Sequence, residues 1–305
     1  MASRFNKKST AEQVSLGVDL FGKNALVTGA NTGLGLETTR VLALRGANVT
    51  MACRDLRKAD AARQAILGES VGAIEEEQLD VLQLDLNSLE KTRAAALEYC
   101  NRGTPLHLLI NNAGIMIPMK RITEDGFEGH LGINHLAHFL FTNLLLDPLK
   151  AANGARVVVL SSAAMAFATL NETLEDINWE ARKYKGFASY GDSKLMNHLF
   201  ARELTRRYSD EGIVANALHP GVIGTELGRD QSLPFMLVGI VAMPFMKTIP
   251  QGAATTVLVA TADAYAKKGG LYFKDCRESK PQHKHAGSDA LAEKLWQRSI
   301  ELTGL

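Results

Sequence analysis

Tyr190 and Lys194 lie four positions apart in ASYGDSKLMNHLFARELTRR, a stretch with a helical pattern. Residues at i and i+4 share one face of a helix. A free phenol titrates near about 10, too high for efficient proton transfer at neutrality, and a neighbouring ammonium stabilises the phenolate and lowers that value. The pair therefore suits general acid/base work. Helices also carry Tyr and Lys at this spacing by chance, so the weight comes from what accompanies them. Ser161-Ser162 follow the apolar run RVVVL. A hydroxyl there can donate to a carbonyl oxygen beside the phenol and stabilise charge that develops on it.

A second group of residues suits an anion. The run NALVT leads directly into Gly29-Ala30-Asn31-Thr32-Gly33-Leu34-Gly35 and then a helical stretch. Glycines let a backbone turn tightly and approach a pyrophosphate, and the helix start offers free N–H groups and a positive dipole end. Glycines also serve as plain turn residues, but the position between a first strand and a helix favours dinucleotide binding. A later apolar run ends Met51-Ala52-Cys53-Arg54, with no carboxylate at Cys53. Arg can bind a ribose 2′-phosphate bidentately, which favours NADP(H). NAD(H) stays open, with Arg54 a solvated charge and Asp55 serving the ribose. Asp85 can accept from an adenine amino group, or it or Asn87 can cap the next helix. Asn112-Ala113-Gly114 can form a close backbone approach or a simple turn. Pro220-Gly221, with Ile223 and Thr225 just beyond, can fix a nicotinamide carboxamide.

These motifs need elements to hold them. Strands are expected at Asn24–Thr28, Asn48–Ala52, Gln78–Leu84, Leu106–Ile110, Arg156–Leu160, Ile213–Leu218 and Gly270–Phe273. Most are continuous apolar runs, as in strands buried on both faces. Helical patterns alternate with them, for example Leu34–Arg45, Leu89–Cys100, Phe127–Lys150, Ala188–Tyr208 and Gly252–Ala262. Such alternation predicts an α/β, doubly wound Rossmann fold: a mostly parallel seven-stranded sheet with helices on both faces. Ligands in such sheets sit at the carboxyl ends of the strands, where every motif above falls.

The 305 residues carry a formal net charge of +1, which suggests neither nucleic acid nor a polybasic membrane contact. Cys53, Cys100 and Cys276 lie far apart, without metal-ligand spacing, and a reducing compartment is the simple reading. His283-Lys284-His285 reads as an exposed loop rather than a metal site, and His135, His138 and His198 as packing or surface residues. Leu233–Met246 is apolar but falls short of the roughly 18 residues of a transmembrane span, and Pro234, Gly239 and Pro244 interrupt it. It reads as a mobile lid, with ordinary packing or a shallow membrane contact as alternatives.

The set TGANTGLG, NNAG, Asn134 in GINHLAHF, SS, YGDSK and HPGVIGTE resembles, in order and context, the short-chain dehydrogenase/reductase family over nearly the whole chain. QGAATTVLVA, GGLYFKDC and KLWQRSIELTG resemble its retinol dehydrogenase-like branch, which includes the WW-domain-containing oxidoreductase. The resemblance implies one domain over 1–305, with a flap at about 163–188 and a substrate lid at about 226–250. It implies Tyr190 as general acid or base, Lys194 lowering its pKa and binding the nicotinamide ribose, and Ser162 polarising the substrate oxygen. Asn134 is implied to hold a water that links Lys194 to solvent, and Asp85 with Leu86 to border the adenine. The expected activity is NADP(H)-dependent hydride transfer to or from the carbonyl or alcohol carbon of a lipophilic small molecule, in the cytoplasm. Carbon–carbon double-bond reduction and a non-catalytic NADP(H)-binding sensor or scaffold are the alternatives. Met1 to Leu20 is polar, unlike the membrane anchor of many relatives in that branch, so a membrane-bound retinoid is not the expected substrate. Family dimers often form through the helices that here carry Asn134 and Tyr190, so a homodimer is one arrangement implied.

Overall fold

Strands that are apolar on both sides must be covered on both sides, and the chain meets that demand with two helical layers. A computed structural model describes residues 5–223 and 246–305. The strands are β1 (Asn24–Thr28), β2 (Asn48–Cys53), β3 (Leu79–Gln83), β4 (Leu108–Asn111), β5 (Ala155–Leu160), β6 (Ile213–His219), β7 (Tyr272–Lys274) and β8 (Arg277–Glu278). Their order is β3-β2-β1-β4-β5-β6-β7-β8, and all pairings are parallel except β7 with β8. The order reverses between β1 and β4, which opens the crevice where such sheets bind ligands. Seven strands are as expected. The eighth is the two-residue return of a hairpin turned by Asp275 and Cys276, whose φ values of 55° and 60° are left-handed. It is exposed and polar, so it carries no apolar signal.

The helices are α1 (Ala11–Val14), α2 (Gly33–Leu44), α3 (Leu56–Glu69), α4 (Leu89–Cys100), α5 (Ala137–Leu144), α6 (Leu146–Ala151), α7 (Gly186–Tyr208), α8 (Ile249–Thr261) and α9 (Asp289–Thr303). Within β1, Ala25 and Val27 face the layer of α2, α3 and α8, while Leu26 faces α4, α5 and α7. The single helix expected over Phe127–Lys150 is instead three pieces: a π-helical turn at His130–Leu136, then α5, then α6. Pro148 has no N–H to reach the Leu144 carbonyl, and the Cys100 thiol donates to that oxygen at 3.5 Å.

The outer side of α7 is closed by α9. Trp296 stacks on Phe200 with centroids 5.9 Å apart and meets Phe139 edge-on at 4.9 Å. The Arg207 guanidinium lies 4.7 Å from the Trp296 ring, and buried Glu203 receives Arg206 and Arg207. Every residue of α7 from Ser189 to Ala201, and of α5 from Ala137 to Asn143, is buried. Trp296→Ala should cost about 3–5 kcal/mol through the cavity it leaves, read as a lower denaturation midpoint at unchanged slope.

Candidate active site

The glycine loop joins β1 to α2. Gly29 and Gly33 have φ of 65° and 55°. A Cβ at Gly35 would stand 2.2 Å from the Gly29 carbonyl oxygen, so only glycine allows this turn. Thr32 precedes α2 without a side-chain cap, which leaves the first N–H groups of the helix open to an anion. Cys53 ends β2 as a buried thiol, pushed up to about 11 by burial and approached by the N–H groups of Ala30 and Asn31. Arg54 is exposed, and its guanidinium has no carboxylate partner among the described residues. Asp55 is occupied: its carboxylate caps α3 by accepting from the N–H groups of Arg57 and Lys58.

Asp85 and Leu86 follow β3. Neither Asp85 nor Asn87 caps α4, because Ser88 does. Asp85 accepts the Asn87 N–H at 3.1 Å and faces Lys91 at 3.7 Å. The turn Asn112-Ala113-Gly114 is held by Thr28, which sequence reasoning did not single out. Its hydroxyl accepts the N–H groups of Asn112 and Ala113 at 3.0 and 2.9 Å. It also meets His138 Nε2 at 3.0 Å. Burial, and then the charge of Lys194, push the His138 imidazole down to about 4, so it is neutral and can accept there.

Tyr190, Lys194, Ser162 and Asn134 converge as expected. The Ser162 hydroxyl is close enough to the Tyr190 phenol to favour its ionised form, against the effect of burial. Lys194 Nζ lies 5.4 Å from the Tyr190 ring centroid and donates to the Leu160 carbonyl at 3.1 Å. No carboxylate pairs with it among the described residues. Ser161 serves the backbone instead, donating to the Lys194 carbonyl at 2.6 Å. Asn134 accepts the Ile115 N–H at 2.8 Å and donates to the Ile115 carbonyl and to Ser193 Oγ. A Cβ at Gly114 would stand 3.2 Å from Asn134 Oδ1 and 3.4 Å from Lys194 Nζ, so this glycine keeps the space open.

Burial pushes the Tyr190 phenol up to about 12 and the Lys194 ammonium down to about 8. Loss of water opposes charge on both groups. Near neutrality the phenol is thus protonated, the form that donates.

Pro220 and Gly221 follow β6, with Ile223 beside Lys247 in a parallel bridge. Lys247 donates to the Pro220 carbonyl at 3.2 Å and pairs with Asp275 at 2.7 Å. Thr225 and the lid up to residue 245 lie outside the described residues. The flap is anchored rather than open. Buried Asp192 accepts the Leu170 N–H at 2.9 Å and pairs with Arg182 at 3.1 Å. Trp179 is buried under the Arg182 guanidinium, 3.5 Å from its centroid. Apolar groups exposed among the described residues include Phe167 and Phe187, with centroids 5.1 Å apart, Met119, and Val222 beside Gly221. A cavity of about 700 Å³ between the flap and α9, lined by Leu174, Ile177, Lys294 and Gln297, holds none of the site residues.

An uncapped helix start behind a glycine turn, and a buried ammonium with free donors, fit a nicotinamide dinucleotide. The chain belongs to the short-chain dehydrogenase family: the short chain dehydrogenase model matches residues 23–173, and full-length relatives extend the match. These enzymes use NAD(P)(H), and this one is an oxidoreductase related to the retinol dehydrogenases. It is 43% identical to human (Homo sapiens) retinol dehydrogenase 12, over 94% of this chain and 88% of that protein. It is 38% identical to short-chain dehydrogenase TIC 32 A, chloroplastic, of Brassica napus, over 98% and 94%. A solved structure of an uncharacterised protein from Mycobacterium paratuberculosis superposes with a TM-score of 0.74 at 34% identity, over 95% and 97%.

The burial of Lys194 has a measurable consequence. Its folded pKa of about 8 lies below the ordinary 10.5, so the unfolded chain binds more protons between these values. This group's contribution to stability therefore rises with pH across that window. Lys194→Met should raise the stability of the cofactor-free protein by roughly 1–3 kcal/mol at pH 7 and flatten that rise, measured by urea unfolding from pH 7 to 10, while turnover is lost.

Proposed function

We propose that this protein is an NADP(H)-dependent carbonyl reductase or alcohol dehydrogenase for a lipophilic small molecule. The observation that carries the reading is the convergence of a protonated, buried Tyr190 with Ser162 and an unpaired Lys194 ammonium at the carboxyl ends of β5 and β6. Tyr190 donates its proton to the substrate oxygen in reduction. Ser162 donates a hydrogen bond to the same oxygen as negative charge builds on it. Lys194 stabilises the phenolate that remains and has donors free for a ribose hydroxyl. Asn134 holds the Ile115 backbone and would help hold a water that links Lys194 to solvent. When bound, the dinucleotide supplies or accepts the hydride. Gly29, Asn31, Thr32, Gly33, Leu34 and Gly35 would cradle its pyrophosphate, Asp85 and Leu86 would border its adenine, and Asn112 to Gly114, Pro220, Gly221, Ile223 and Thr225 would flank its nicotinamide half.

The preference for NADP(H) is supported by Arg54 without a carboxylate partner and by Asp55 committed to its helix cap. A lipophilic substrate is supported by the exposed Met119, Phe167 and Phe187 and by likeness to a protein named retinol dehydrogenase. Three free cysteines suit a reducing compartment such as the cytoplasm.

Tyr190→Phe should keep the fold and the NADPH affinity while lowering turnover by about 10²–10⁴-fold, assayed as NADPH oxidation with hydrophobic aldehydes and ketones. Unchanged turnover would remove Tyr190 from the mechanism. Arg54→Asp should move the kcat/KM ratio towards NADH, and an unaltered ratio would place Arg54 outside the cofactor site.

A further inference from the structure

Glu128 and His130 are fully buried, and neither belongs to the acid/base set. His130 opens the π-helical turn that carries Asn134. The two residues make matching contacts. Asn134 grips Ile115 and meets Ser193 Oγ at 3.1 Å. His130, four residues earlier, accepts the Ile117 N–H at Nε2, 3.0 Å away, and meets Ser189 Oγ through Nδ1 at 3.1 Å. Ile115 and Ile117 are alternate residues of the segment that leaves Gly114. Ser189 and Ser193 are one turn apart on α7 and bracket Tyr190. The wall beside the site and the helix that bears the phenol are thus joined by two rungs.

The second rung has its own support. Because Ile117 donates to Nε2, that nitrogen holds no proton, and the ring proton sits on Nδ1, which faces Glu128 Oε1 at 3.1 Å. Burial works against charge on Glu128. Against this, the hydrogen bond from His130 and the Leu131 and His130 N–H groups hold its carboxyl down at about 2. Tyr184 of the flap donates to Glu128 Oε1 at 2.8 Å, and Asn178 accepts the Glu128 N–H at 2.7 Å. The His130 and Tyr190 rings meet edge-on, 5.7 Å apart.

We propose that His130, its tautomer set by Glu128, is a positioning residue that locks the Ile115–Ile117 wall, the flap and the first turns of α7 together and so places the Tyr190 phenol. The proposal rests on the reading of Tyr190 as the acid, but the lock can be tested apart from turnover. Asn at 130 can mimic Nδ1 and cannot reach Ile117, whereas Gln can extend to the place of Nε2. Amide exchange at Ile115 and Ile117 would be followed by NMR in the full chain without cofactor, beside melting temperature, NADPH affinity and NADPH oxidation with nonanal.

His130→Asn should speed exchange at Ile117 by about tenfold and leave Ile115 unchanged. It should lower kcat by about tenfold with NADPH affinity intact, and His130→Gln should restore most of both. Tyr184→Phe, a change that leaves no cavity, should move both readouts the same way by less. Wild-type exchange at Ile117 in His130→Asn would overturn the proposal. So would equal losses in the Asn and Gln variants together with weakened NADPH binding, since those mark general loosening. If the wild-type chain oxidises no NADPH, the Tyr190 reading fails, and the exchange contrast between Ile117 and Ile115 decides the lock by itself.

Discussion

An ammonium buried without a carboxylate is the constraint around which the site is arranged. Lys194 is 4% exposed, and its one hydrogen bond among the described residues is to the Leu160 carbonyl. Desolvating a cation is expensive, and a neighbouring Asp or Glu would offset it. Such a partner would also occupy the donors and cancel the positive charge beside the phenol. The fold forgoes it. Ser161 holds the Lys194 carbonyl, Asn197 shares the Leu160 oxygen, and Gly114 leaves the space before the ammonium clear. The resulting site holds a desolvated ammonium whose donors are aimed and ready, as a preorganised site should.

Several polar groups nearby are paired closely. Thr28 accepts two backbone N–H groups of the turn after β4, neutral His138 stands behind it, and Asn134 takes both polar groups of Ile115. In a low-dielectric interior, satisfied networks of this kind rigidify their surroundings. The sheet fixes where each strand ends, and these side chains fix how the loops leave it. Flexibility is thereby kept away from the backbone that must meet a dinucleotide.

Much of this was legible in the chain. Strands β1 to β6 fall within two residues of the apolar runs that predicted them, because strands buried on both faces leave an unmixed signal. Tyr190, Lys194, Ser162 and Asn134 were legible as a set through motif order and the ends of elements. What was hidden depended on distance in space. The breaks between residues 127 and 150 come from Pro148 and from a π-helical turn that periodicity does not encode. The raised Tyr190 phenol reflects burial, which spacing along a helix cannot report. The packing of Trp179 under Arg182 had no signal in the sequence. Glu128 and His130 had no signal except two polar residues in an apolar helical stretch, a mismatch that marks a buried network when the structure supplies the partners.

The cover that α9 gives α7 orders events during synthesis. Phe200 and Trp296 lie 96 positions apart, so the outer side of the tyrosine helix stays bare while the intervening chain is made. Domains emerge at about 5–20 residues per second, so that apolar surface is open for several seconds in a growing chain. Contacts of such separation also carry a loop-closure cost that slows folding. The helix that bears Tyr190 is therefore among the last parts of this protein to reach its final environment: a nascent chain released past residue 278 but short of 289 has every strand of the sheet and still lacks the helix that closes the wall behind it.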